Sequence, residues 1–136
     1  MYEVQEQDSS AEILIEDVDP VGLFTESLPG LSDVLSKATG GTPVTHEVRL
    51  GPAKMEALLE AWLRELVRLA EDDGFLPDRL DKERLENTTF SARVAGVRGV
   101  PREEIRAVRF RGLETKRLDD GAWAAKATLE ISPSAT

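Results

Sequence analysis

The chain opens with positions that alternate between apolar and polar side chains. Residues 2–6 and 11–16 have the two-residue period of a half-buried strand, which places Ile13 and Ile15 on the same face. The same alternation returns at 44–50. These three segments are therefore predicted to be strands.

Helical periodicity governs two longer segments. The first begins near Asp19 and Pro20, which suit an N-cap and a first helical turn, and its apolar positions continue to Leu35. Pro29 has no backbone donor and clashes with the preceding turn, so a kink or a split into two helices is expected there. The second segment, 51–74, is the clearest element of the chain.

The second predicted helix carries one apolar stripe and an evident stop. Gly74 is well placed to end it. A stripe of this kind is far more often a core face than a cofactor site. Its members are Met55, Leu58, Leu59, Trp62, Leu66 and Leu69.

The last third of the chain contains three more predicted strands, at 88–97, 104–118 and 122–131. The sequence Asp-Asp-Gly at 119–121 is a strong hairpin signal between the last two. Strands grouped at the end indicate the α+β class. The prediction is a single domain with two helices packed on one face of a largely antiparallel or mixed sheet.

The composition is that of one soluble globular domain. The 136 residues suffice for a single packed core, with the domain predicted over 1–131 and a short polar C-terminal tail at 132–136. The absence of Cys excludes disulfides, thiolate metal sites and thiol nucleophiles, and fits a reducing compartment. No apolar run approaches the roughly 20 residues that span a bilayer, and the acidic N-terminus differs from a signal peptide. A cytoplasmic location without membrane contact is expected.

The net charge restricts the kinds of partner. Lys and Arg total 17 against 26 Asp and Glu, giving a formal charge of −9. A net anion is repelled by phosphate backbones, so direct nucleic-acid binding is not expected. The stretch 93–117 is nevertheless rich in Arg. Two interpretations stay open for it: a solvated strand face, or a surface for an acidic partner or for RNA that a partner already holds.

Residues suited to catalysis are sparse. His46 is the only His, it lies in a predicted strand, and no pattern of Ser and Asp accompanies it to form a triad. A surface or edge-strand role is expected for it. The adjacent carboxylates at 72–73 and 119–120 suit a helix end and a turn better than acid–base chemistry. The sequence therefore predicts a protein that is not an enzyme.

Several phrases of the sequence stand in the order of one known family. Tyr2, Glu3, Glu6 and Ile13 match its opening strand and first motif, and the Leu-Phe pair at 23–24 matches its first helix. The phrases AWLRELVRLAEDDGFL, RAVRFR and DDGAWAAKATLEI follow its second helix, third motif and last hairpin strand. On these phrases the chain resembles the archeases, small acidic proteins that assist the guanylate-using RNA ligase of tRNA splicing and RNA repair.

The resemblance implies a divalent-cation site whose ligands have changed. Archeases hold the ion through an Asp of the first motif and through the Asp and final residue of the last. The matching positions here are Ser10, Glu130 and Ile131. No functional metal is the expectation, and the alternative is a rearranged weak Ca²⁺ or Mg²⁺ site in which Asp8 and Glu130 supply carboxylates and backbone carbonyls assist.

An arginine stands where the third motif of the family has His. Arg111 is expected to pair with Glu130 and to replace the cation, which favours loss of the metal. Gln7, which stands in place of the first-motif His, and Arg109 join Arg111 in the expected partner-binding surface.

Three functions follow from these residues. The favoured one is a non-enzymatic accessory protein that promotes guanylylation or turnover of an RNA ligase, which would be its protein partner. The alternative is a protein-interaction module on the archease fold with a partner unrelated to RNA ligation. A metal-dependent hydrolase is the third, and it requires retained metal binding.

Overall fold

The computed structural model describes residues 1–35 and 41–131, so the predicted tail at 132–136 lies outside the described residues. Over these ranges it contains two α-helices, α1 (Pro20–Leu35) and α2 (Met55–Asp73), and one 3₁₀ turn (Arg102–Glu104). The strands are β1 (Tyr2–Gln7), β2 (Ser10–Asp17), β3 (Thr42–Leu50), β4 (Leu76–Glu86), β5 (Thr89–Arg98), β6 (Val108–Arg117) and β7 (Trp123–Ile131).

The described strands form two antiparallel sheets. One has the order β1-β2-β7-β6 and the other the order β3-β5-β4. The α+β class with two helices is confirmed, while the strands divide between two sheets where one was predicted. The two sheets separate after β5, where the backbone forms hydrogen bonds with the end of α2. Gly99 N donates to Asp73 O at 3.1 Å, and Val100 N donates to Gly74 O at 3.2 Å.

Helix α1 is buried because it contacts both sheets. It packs against β1 and β2 on one side and against β4 on the other. Leu23, Phe24 and Leu31 are fully buried. The helix continues through Pro29, so the predicted split does not occur. Packing against two sheets stabilises the segment enough to outweigh the hydrogen bond that Pro29 cannot donate.

Helix α2 follows its predicted stripe. Leu58, Trp62 and Leu66 are almost completely buried. The helix ends as predicted at Gly74, whose φ of 60° lies in the left-handed region and whose N–H donates to Ala70 O at 3.1 Å. Neither helix in the described ranges is long and apolar enough to cross a bilayer.

Gly74→Ala is expected to destabilise the protein by about 1–2 kcal/mol, the usual cost of a left-handed conformation for a residue with a Cβ. The added Cβ would also lie 2.7 Å from the carbonyl oxygen of Val100. Urea unfolding followed by circular dichroism measures the change. Gly112→Ala is the matched control, because a Cβ there meets no atom within 4 Å; equal losses for both variants would contradict the prediction.

Candidate functional site

A row of four side chains crosses the four-stranded sheet at one of its ends. Gln7 is paired with Ser10, Ser10 with Glu130, and Glu130 with Arg109. Directly opposed residues of antiparallel strands point to the same face. The neighbouring Leu129 is buried in the core, so the row lies on the opposite, outer face of the sheet. Residues that are over 100 positions apart in the chain are thereby brought together.

The β1–β2 turn holds the first motif in place. Asp8 and Ser9 form the two-residue connection between the strands. Ser9 O accepts a hydrogen bond from Ile131 N at 2.9 Å, which fastens the turn to the end of β7. Asp8 is exposed and lies in the turn between the two strands, so the extended backbone that would align its side chain with that of Ser10 is absent at this position.

Arg111 reaches Glu130 from a bulge in β6. The pairing register with β7 shifts between Phe110 and Gly112, so Arg111 opposes no single residue of β7. Its Nη1 lies 3.4 Å from Oε2 of Glu130. The structure therefore contains the predicted ion pair. The two side chains are 55% and 45% exposed, and a pair this exposed contributes about 1 kcal/mol or less to stability.

The ion pair borders an open cleft of about 530 Å³. The cleft lies between the β1–β2 turn and the bulge in β6, on the outer face of the sheet. Its lining includes Ser9, Ser10, Arg111, Thr128, Glu130 and Ile131. Four of the seven residues that were singled out from the sequence thus line one cavity; Gln7 and Arg109 stand in the adjoining row, and Asp8 is not among the lining residues.

The cleft residues do not fit a divalent cation in this arrangement. Ca²⁺ takes about six to eight oxygen ligands and gains affinity from each carboxylate. The cleft offers one carboxylate, that of Glu130, and its partner is Arg111. Arg109 faces the same row. Within the described ranges, no three Asp, Glu, His or Cys side chains come close enough together to hold a metal ion.

The arginines of the stretch 93–117 do not form one surface. Arg93 lies in the three-stranded sheet, where its Nη2 is 2.8 Å from Oδ2 of Asp81 and its hydrogen bonds hold the pKa of that carboxyl below its usual range. Arg106 pairs with Glu6 at 2.8 Å. Among the arginines of this stretch whose side chains are described, one belongs to the cleft lining, Arg111.

His46 lies away from the cleft, on the edge strand β3 as expected. Its ring packs edge-on against Phe75 with centroids 4.7 Å apart. The Nε2 atom is buried and has no hydrogen-bond partner among the described residues. Because Nε2 is unpartnered among the described residues, no carboxylate orients the imidazole through that nitrogen.

Three residues of the cleft lining were not among the predicted site residues: Ser9, Thr128 and Leu129. Thr128 stands two positions before Glu130 in β7, so strand alternation places both on one face and was sufficient to find it. Ser9 contributes through the turn and through its carbonyl. Its position depends on the length of the β1–β2 connection, which the alternation pattern left undefined.

A family comparison accounts for this arrangement. The family model described as the Archease protein family (MTH1598/TM1083) matches residues 2–131. The chain belongs to the archease family. The lining of the cleft in this archease therefore includes the positions that correspond to the first, third and last motifs of the family.

Comparison with solved structures agrees with the archease fold. The solution structure of Methanobacterium thermoautotrophicum protein 1598 is similar to this archease with a TM-score of 0.65, covering 95% of this chain and 97% of that chain. The sequence identity is 14%, so the likeness establishes the fold alone. No curated protein matches the chain.

Proposed function

We propose that this archease is a non-catalytic accessory protein that assists a guanylate-using RNA ligase by promoting its guanylylation or turnover. Membership of the archease family supports the accessory role. One observation carries the proposal furthest: three motif positions distant in sequence, Ser10, Arg111 and Glu130, line a single open cleft. A solvent-open cleft is accessible to a side chain of a partner protein.

The proposed partner-binding surface is the outer face of the four-stranded sheet at the end that carries the cleft. Gln7, Arg109 and Arg111 are exposed there. Arg109 has no ion-pair partner among the described residues, so its guanidinium is open to a carboxylate of the ligase. A guanidinium presents a planar fork of donors that matches such a carboxylate.

The ligase, not the archease, is expected to hold the RNA. The formal charge of −9 opposes direct binding to a phosphate backbone. The absence of Cys suits a reducing compartment, so a cytoplasmic location is part of the proposal.

The test is the guanylylation rate of the RNA ligase from the same cell. Addition of the purified archease is expected to raise the rate about 5-fold or more, the lower range of coupling between protein sites. Archease that has been irreversibly unfolded by heat is the control. No change in rate at stoichiometric excess of folded archease rejects this function.

A second candidate is an interaction module whose partner has no part in RNA ligation. It is favoured by a larger groove of about 930 Å³ on the same sheet. The lining of this groove extends from Glu3 on the edge strand β1 to Lys116 on the edge strand β6. Leu14 and Ala124 contribute apolar surface to it, and Lys126 and Glu114 contribute charge. Purification of the tagged archease from its native cell separates the two candidates. Recovery of an RNA ligase supports the accessory role, whereas recovery of a different partner without a ligase supports the interaction module.

A further inference from the structure

We propose that Arg111 supplies, in this archease, the positive charge that a divalent cation would supply in the same cleft, and that the cleft works without metal. The inference concerns the site of the proposed function. Its test needs no ligase, so the inference and the function can fail separately.

The guanidinium of Arg111 lies beside Glu130 in the cleft. The bulge between Phe110 and Gly112 releases Arg111 from the regular pairing with β7. Its Nη1 lies 3.4 Å from Oε2 of Glu130, within the cleft where Ser10 and Ile131 also stand. The positive charge that neutralises Glu130 is therefore supplied by a side chain of the protein itself.

The charges of the cleft residues disfavour a divalent cation. Glu130 is the single carboxylate of the cleft lining, while Arg111 lines the cleft and Arg109 stands opposite Glu130 in the row. A divalent ion would therefore face two guanidinium groups and one carboxylate. Two like charges repel, and the hydroxyl of Ser10 is a neutral ligand that offsets none of this repulsion.

A guanidinium in place of a metal ion changes how the cleft recognises a partner. A guanidinium stays protonated at every physiological pH, so its charge does not depend on the concentration of free Ca²⁺ or Mg²⁺. A bound metal would take ligands from all directions, whereas a guanidinium donates hydrogen bonds in its own plane. The cleft is thus suited to one oriented carboxylate of a partner under all metal concentrations.

The direct experiment is titration of chelator-treated archease with CaCl₂ and with MgCl₂ in a calorimeter. No saturable heat is expected at micromolar concentrations of either ion. The midpoint of thermal unfolding is expected to be the same in Ca²⁺ and in a chelator, since a ligand that binds the native state raises it. Micromolar binding of either ion by the unaltered protein would overturn the proposal.

The reverse experiment restores the ligands. The double variant Ser10→Asp with Arg111→His removes the guanidinium and adds a carboxylate, and it is expected to bind Ca²⁺ at least about 10-fold more tightly than the unaltered protein. Arg111→Gln, which removes the charge alone, is expected to show a smaller gain. Both positions are partly or largely exposed, so both variants are expected to fold.

A matched control is available in the other sheet. Arg93 forms an exposed ion pair with Asp81 that resembles the pair in the cleft, and Arg93→His is expected to bring no gain in Ca²⁺ binding. If both Arg111 variants bind Ca²⁺ no better than the unaltered protein, the guanidinium is not what excludes the cation, and the proposal fails.

Discussion

Replacing Trp62 with Ala is expected to lower the free energy of unfolding by about 3–5 kcal/mol, the range for loss of a large aromatic side chain from a core. Trp62 is fully buried. Its ring packs edge-on against Phe90 with centroids 5.3 Å apart, and its Nε1 donates a hydrogen bond to Ser27 Oγ at 3.0 Å. Truncation therefore opens a cavity and leaves the buried hydroxyl of Ser27 without its indole partner.

Urea unfolding measures this loss, with Trp123 as the remaining fluorophore. Ser27→Ala separates the two contributions, because it removes the hydrogen-bond acceptor and keeps the ring in place. It is expected to destabilise by about 1–3 kcal/mol, the cost of an unsatisfied buried donor. A loss below about 0.5 kcal/mol for Trp62→Ala, as for a surface substitution, would contradict the burial of this residue.

The parts of the fold that were predictable are those with one buried face. In β2 the burial alternates from Ser10 to Ile15 as the sequence does, and β7 alternates in the same way up to Ile131. Helix α2 buries the stripe that its period predicted. In each case local periodicity and tertiary burial agree, and the sequence pattern then suffices.

Strand β4 was not predicted because its pattern is broken twice. It runs over Leu76–Glu86, yet after Pro77 it is almost entirely exposed. Its pairing with β5 shifts between Pro77 and Arg79 and again between Asp81 and Arg84. Lys82 within the second shift has a φ of 55°, outside the range of a strand. A strand with charged side chains on both faces and two irregularities has no two-residue period to detect.

The candidate site was predictable in composition and only partly in geometry. The pairing of β2 with β7 joins the two ends of the described chain, and no local pattern specifies such a contact, so the resemblance was needed to place Ser10 beside Glu130. The ion pair of Arg111 with Glu130 also followed from the resemblance, which aligned Arg111 with the His of the third motif, together with the opposite charges of the two side chains. The bulge that directs the Arg111 side chain towards Glu130 is a backbone feature that residue types did not reveal.

Reversing the charge of Arg111 should impair the proposed function more than any other single change in the cleft. Arg111→Glu leaves two adjacent acidic side chains beside one arginine, Arg109, so the summed charge of these three positions changes from positive to negative. The affinity for the ligase is expected to fall about 10-fold or more, equivalent to about 1.4 kcal/mol, because a carboxylate of the partner would then meet a like charge. Titration of labelled archease with the ligase measures the affinity directly.

Arg93→Glu provides the same change of charge in the three-stranded sheet, next to Asp81 and outside the cleft lining. The two variants have equal net charge, so long-range electrostatic effects on the affinity are similar. A difference in affinity between them therefore reports the contribution of the cleft. Unchanged affinity is expected for Arg93→Glu. Equal affinities of the two variants would instead place the ligase on another surface, such as the groove of about 930 Å³ beside Leu14. That result would separate the function of this archease from its motif positions.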